Sequence, residues 1–195
     1  GLIIEIDKWV LNKACKLLTQ YSWLPRLAVN VSAKAICQQQ IVSQVQTALF
    51  DIGVSASRLE LEVTETALIH DLNRALHNLR QIKALGISIA MDDFGTGYSS
   101  LSHLHQFNFD KIKIDRSFVQ SFGDRKESTA VVNAVVHLAR DLGISMTAEG
   151  IETVEHMNAM REAGCNHAQG FLLGRPQPIQ IEKSKLQLLR ENETI

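Results

Sequence analysis

Four carboxylates and one amide in this sequence could assemble an oxygen-rich site: Glu62, Asp92, Asp93 and Glu149, with Asn30 as a neutral oxygen donor. Like charges crowded into a closed site repel and raise one another's pKa, so such a group calls for a counter-charge. Hard divalent cations supply it. Mg²⁺ and Mn²⁺ accept this ligand type, and two of them about 3.5–4 Å apart can generate a hydroxide and clamp a phosphoryl group during in-line displacement. Lys113 adds a point charge that can orient a nucleophilic water or stabilise developing negative charge. The plainer alternative for Lys113 is a solvated strand residue.

The middle of this set is Met91-Asp92-Asp93-Phe94-Gly95-Thr96-Gly97-Tyr98-Ser99-Ser100, which follows the apolar run Ile87-Ser88-Ile89-Ala90. It precedes Leu101-Ser102-His103-Leu104, which could open a helix. Adjacent residues on an extended chain face opposite ways, so Asp92 and Asp93 share a site only where the backbone turns between or just after them. Gly95 and Gly97 offer that freedom. An ordinary strand-to-helix turn with Asp as its cap is the competing account.

Around this stretch, strands and helices alternate. Helical spacing runs from Ile4 to Leu18, with Trp9 expected in the core, from Ile36 to Phe50, from Leu72 to Leu85, from Ser128 to Leu142 and from Val154 to Ala163. Pro178 to Leu189 could close the fold as a further helix. Strands are expected at Leu27–Val31, Leu59–Thr64, Ile87–Asp92, Phe109–Asp115, Ile144–Gly150 and Asn166–Gly170. Glu60, Glu62 and Thr64 alternate with Leu59, Leu61 and Val63, the pattern of a half-exposed strand. Such alternation argues for a parallel sheet covered by helices, and no Gly-x-Gly-x-x-Gly follows the first strand to suggest a dinucleotide fold. Asn30, Glu62, Asp92, Lys113, Glu149 and Gln169 fall at or near the carboxyl ends of six different strands, where a (β/α) barrel of TIM type collects its active site. A complete barrel has eight strands in about 250 residues, so the first one or two strands are expected to be missing from the N-terminal side.

Composition is that of an ordinary soluble domain: 195 residues, 45% hydrophobic, 21% charged, with a formal net charge of −1. This balance lacks the basic footprint of a duplex-binding protein. Cys15, Cys37 and Cys165 have no metal-ligand spacing and read as buried, reduced thiols of a reducing compartment. No apolar run approaches a membrane span, and the abrupt helical opening suggests a fragment of a longer chain.

Six motifs in order resemble the signatures of the EAL domain family. They are Val29-Asn30-Val31-Ser32-Ala33, Glu60-Leu61-Glu62-Val63-Thr64-Glu65, Asp92 through Ser100, Lys111-Ile112-Lys113-Ile114-Asp115, Ala148-Glu149-Gly150-Ile151-Glu152 and Gln169 through Pro176. The resemblance covers essentially the whole chain, taken as one partial domain over residues 1–195. It implies a modified TIM-type (β/α) barrel with one antiparallel strand, incomplete here at its N-terminal side. It also implies hydrolysis of cyclic di-GMP to linear pGpG with Mg²⁺ or Mn²⁺. Carried over by position, Asn30, Glu62, Asp92, Asp93 and Glu149 are metal ligands, with Asp92 as the bridge. Lys113 serves the water, and Glu152 and Gln169 give supporting hydrogen bonds. Glu65 anchors the loop after Asp93. Gly174-Arg175-Pro176 would help to hold a guanine, with a surface turn as the alternative.

One departure stands out: the Glu-Ala-Leu triplet that names the family, whose Glu is a further metal ligand, is absent from these 195 residues. By order it belongs upstream of Gly1, so this segment alone is expected to be weakly active or inactive. The alternative function is a receptor that binds cyclic di-GMP without cleaving it. A homodimer using Asp115 to Asp124, a cytoplasmic location, and an upstream sensory or diguanylate cyclase-like domain that could tether the parent protein to a membrane complete the expectations. His103-x-His105 could ligate a metal, with a polar surface stretch as the alternative.

Overall fold

The computed structural model describes residues 1–69, 71–95 and 106–179. Six strands form one sheet in the order β1-β2-β3-β4-β5-β6, every neighbouring pair parallel: β1 Leu27–Asn30, β2 Leu59–Thr64, β3 Ser88–Phe94, β4 Lys111–Ile114, β5 Ser145–Ala148 and β6 His167–Ala168. Helix α1 Leu2–Gln20 precedes the first strand, and α2 Ala33–Ile36, α3 Ile41–Ile52, α4 Glu65–Ile69, α5 Leu72–Ala84, α6 Arg116–Gln120, α7 Lys126–Leu142 and α8 Val154–Ala163 lie between the strands. Sequential parallel order with helical crossovers is the arrangement of a (β/α) barrel, here a partial one. The antiparallel strand implied by the family pattern is not among the six. No helix among the described residues is long and apolar enough to cross a membrane.

Period-two alternation sorts each strand into two faces. Val29, Leu61, Ile89, Met91, Ile112 and Met146 turn outward and are buried against the helices. Leu11, Leu18, Val45, Leu79, Val132 and Val136 cover them. Burial of each large side chain contributes about 1.5–3 kcal/mol. The opposite face looks into the barrel and carries Asn30, Glu60, Glu62, Asp92, Lys111 and Lys113. Strand β2 is therefore buried on both sides, not half-exposed: Glu60 and Glu62 are buried along with Leu59, Leu61 and Val63. Alternation marked the two faces correctly, but the polar one meets other charged side chains in place of bulk water. Glu60 accepts two hydrogen bonds from the Lys111 ammonium, at 2.7 and 2.9 Å, and pairs with Arg26 at 3.3 Å.

Trp9 is 66% exposed, contrary to its expected place in the core. The buried stripe of α1 is Leu11, Ala14, Cys15 and Leu18. Trp9 sits two residues before Leu11, about 200° around the helix at 3.6 residues per turn. Both arcs are apolar, so periodicity predicts the helix without choosing its packed side. The helix expected over Ile36–Phe50 begins only at Ile41, as α3, and Ile36 instead ends the short α2. Ser32 caps α2 by accepting from the Ala35 amide at 3.2 Å. At its far end, buried Asn78 of α5 donates to the carbonyls of Ile36 and Gln38, at 2.7 and 3.0 Å. A side chain 42 residues away thus satisfies carbonyls that helix continuation would have used. Only Cys15 of the three free thiols is fully buried; Cys37 and Cys165 are half-buried. The expected helix over Pro178–Leu189, that opened by Leu101–Leu104, and His103-x-His105 lie outside the described residues or, for Pro178 and Ile179, at their edge.

Candidate active site at the strand ends

Strand β3 solves the problem of its adjacent acids with a bulge. Met91 pairs with Ile112, but Phe94 pairs with Ile114, so Asp92 and Asp93 together oppose Lys113. An extra residue in one strand bends it and redirects a side chain. Asp93 takes φ 53°, the left-handed region that non-glycine residues enter at a cost, and is the one such non-glycine residue among those described. The reversal thus lies at Asp93 itself, ahead of the glycines expected to supply it. Gly95 contributes a second left-handed position at φ 100°, where an added Cβ would meet the Phe118 ring at 2.8 Å; Gly97 is outside the described residues. Carboxylate oxygens of Asp92, Asp93 and Glu149 consequently lie within 4.8 Å of one another.

Lys113 stands among these acids. Its ammonium lies 2.9 Å from Glu62, 3.1 Å from Asp92 and 2.7 Å from Glu149. It is 4% exposed, which removes the solvated-strand alternative. Burial alone would lower its pKa, but hydrogen bonds to Glu149 and Glu62 and the charges of Glu62 and Asp92 outweigh burial and hold it above its usual range. Burial pushes the carboxyls of Glu62 and Glu149 upward, and Lys113 offsets part of this. Asp93 is also raised by burial, with the charges of Asp92 and Asp115 adding to it. Glu62, Asp92 and Glu149 bring three negative charges to the single positive charge of Lys113. That imbalance and the all-oxygen donor set fit a hard divalent cation.

The EAL domain family model matches residues 1–176. The chain belongs to the EAL domain family. Among EAL relatives, the bifunctional diguanylate cyclase/cyclic di-GMP phosphodiesterase MucR of Pseudomonas aeruginosa is 40% identical over 184 residues, covering 91% of this chain and 27% of MucR. The cyclic di-GMP phosphodiesterase NbdA of the same organism is 37% identical over 92% of this chain and 23% of its own length. The chain spans about a quarter of the length of these curated relatives. In structure, the MucR phosphodiesterase in complex with cyclic di-GMP superposes with a TM-score of 0.88 at 40% identity, over 92% of this chain and 80% of that one. Klebsiella pneumoniae BlrP1 with manganese and cyclic di-GMP gives a TM-score of 0.82 at 32% identity, over 89% and 45%. A calcium complex of BlrP1 is similar as well. These two BlrP1 structures each hold a divalent metal together with cyclic di-GMP.

The remaining EAL motif residues surround the acids at greater range. Asn30 ends β1 opposite Glu62 in register and is exposed. Glu152 and Gln169 line a cleft of about 270 Å³ with Asp93, Asp115, Arg116 and Glu149. Glu152 accepts a hydrogen bond from the Gln120 side chain at 3.2 Å. Arg175 and Pro176 line an adjoining cleft of about 500 Å³, and the Arg175 guanidinium lies 4.2 Å from the Phe171 ring centre. Phe171 borders both clefts and was not singled out by sequence reasoning, nor was Asp115 as a site residue. Asp115 could have been found, since it follows β4 at the strand end as the other acids do. Phe171 carried no such signal. Glu65 opens α4 with its side chain fully buried, while most of the loop it was expected to anchor lies outside the described residues.

Proposed function

We propose that this chain is the phosphodiesterase domain of a longer protein and hydrolyses cyclic di-GMP to linear pGpG, with two Mg²⁺ or Mn²⁺ ions as cofactors. The observation that carries this reading is the convergence of Asp92, Asp93 and Glu149 within 4.8 Å of one another, beside Lys113. Asn30, Glu62, Asp92, Asp93 and Glu149 would hold the ions, and the bulge that brings Asp92 and Asp93 together supports that pair as ligands. When bound, such ions lower the pKa of water and neutralise charge on the phosphoryl group. Lys113 keeps its proton throughout the neutral range and donates hydrogen bonds to the attacking water or to developing negative charge. Water gives up one proton as its oxygen bonds to phosphorus, one P–O3′ bond breaks, and the departing ribose oxygen takes up a proton, so that one water is consumed overall. Glu152 and Gln169 support hydrogen bonding at the edge of the site, and Glu65 tethers the segment after Asp93. Arg175 and Pro176, beside exposed Phe171, offer a planar cation and an apolar surface of the kind that holds a guanine. A homodimer through residues 115–124 and a sensory or cyclase-like partner domain belong to the same reading; MucR, a relative, is named for both activities.

The test is turnover of cyclic di-GMP by the full-length protein with Mn²⁺, followed by chromatography for pGpG. Lys113→Met should lower kcat by about 10²-fold or more, in line with the loss of a main electrostatic stabiliser. Metal-dependent binding with no pGpG from the wild-type protein would favour the receptor alternative.

A further inference from the structure

Beneath the Lys113 site lies a second Glu–Lys pair that the proposed chemistry does not use. Glu60 and Lys111 precede Glu62 and Lys113 by two residues on the same strands, so both pairs face the barrel interior, one strand repeat apart. Strands β2 and β4 are not neighbours; β3 runs between them. Adjacent strands are about 4.8 Å apart, so this pair spans roughly 10 Å. It can do so because the inner face of β3 carries only Ser88 and Ala90 at these levels: Glu60 registers with Ser88, and both Glu62 and Lys111 register with Ala90. Over these small side chains the Lys111 ammonium donates to both oxygens of Glu60, which is 2% exposed.

The two levels differ in charge. The single carboxylate of Glu60 faces two cations, Lys111 and the half-exposed Arg26. Above it, Lys113 is shared among three carboxylates. Those carboxylates are the ones assigned to the cations, so bound cations would compete with Lys113 for the same oxygens. We infer that Glu60 and Lys111 are positioning residues: their ion pair clamps β2 to β4 across β3 and keeps Lys113 and Glu62 in register when cations draw the upper carboxylates away. This rests on the phosphodiesterase reading above.

Glu60→Gln/Lys111→Met tests the clamp in the full-length protein, because it removes the ion pair without changing net charge or stranding a buried ion. Calorimetric titration with Mn²⁺ should show affinity weakened by about five-fold, a change that simple electrostatics does not supply for a charge-neutral replacement. Displacement of Lys113 should lower kcat by about ten-fold with KM held within about two-fold. Lys111→Arg, which keeps charge and bidentate donation, should restore both values to within about two-fold of wild type. Glu60→Asp retains both charges and withdraws the carboxylate by one methylene; it should lose kcat in the same direction, and it decides the matter if the double variant does not fold. Wild-type Mn²⁺ affinity and kcat in the double variant, or in Glu60→Asp where only that protein folds, overturn the clamp. A wild-type protein that binds Mn²⁺ without turnover overturns the hydrolase reading alone, and the clamp is then judged on Mn²⁺ affinity. A wild-type protein that binds no Mn²⁺ overturns both.

Discussion

Ionising Glu62, Asp93 and Glu149 at the strand ends is opposed by the burial that surrounds them. Each holds its proton more tightly in the folded protein than in the unfolded chain, so ionisation works against folding. Without cations, this contribution to stability is present below the ordinary carboxylate range and is lost as pH rises through the raised pKa values. Cations require the ionised form and reverse the penalty. Saturating Mn²⁺ at about 100 times its dissociation constant adds about 2.7 kcal/mol, which for a domain of this size raises Tm by about 5–10 °C. That shift is expected in full at pH 8 and reduced by half or more at pH 5, read by thermal denaturation with and without metal. Equal shifts at both pH values would contradict the proposed ligand set. The sequence made these acids visible as a group, because each ends a strand. It did not show how two adjacent ones face the same way: that depends on the bulge and on Asp93 at φ 53°, which the pairing of β3 with β4 imposes.

At the level of elements, short connections and close approaches hold the strand ends in place. Gly170 follows Gln169 at the end of β6, where a Cβ would fall 2.1 Å from the carbonyl oxygen and 2.3 Å from the amide nitrogen of Ile151. The Ile151 amide also donates to the Gln169 carbonyl at 3.0 Å, so β6 and the segment after Glu149 are locked backbone to backbone. Gly170→Ala must push them apart. It is expected to destabilise the fold by about 1–3 kcal/mol, the range for overpacking a rigid contact. A shift in the urea midpoint at constant slope measures this, and an unchanged midpoint would show that the contact yields. Helix ends were legible where Gly53 and Gly143 stop α3 and α7 in left-handed conformations. The break between α2 and α3 was not, because the Asn78 amide that captures the Ile36 carbonyl comes from a distant helix.

Across the whole molecule, charge is stacked in two levels inside a partial barrel, with the excess of acids at the carboxyl ends of the strands. These 195 residues contain no Glu-Ala-Leu triplet, so their turnover is expected to be at least about ten-fold below that of a polypeptide extended to include one, given the sensitivity of metal sites to loss of a single ligand. Equal rates would show that Glu62, Asp92, Asp93 and Glu149 suffice with Asn30. From its residues alone this protein was legible as alternating strands and helices with acids at the strand ends, because backbone period and hydrophobic pattern are local properties. Tertiary structure decided which apolar arc of α1 packs, leaving Trp9 outside, and which face of β2 meets solvent, leaving none. It also decided that Asp92 and Asp93 together oppose Lys113, whose ammonium is shared among Glu62, Asp92 and Glu149. Each of these depends on what lies across the sheet or against the helix, and such partners are set by contacts between residues far apart in the chain.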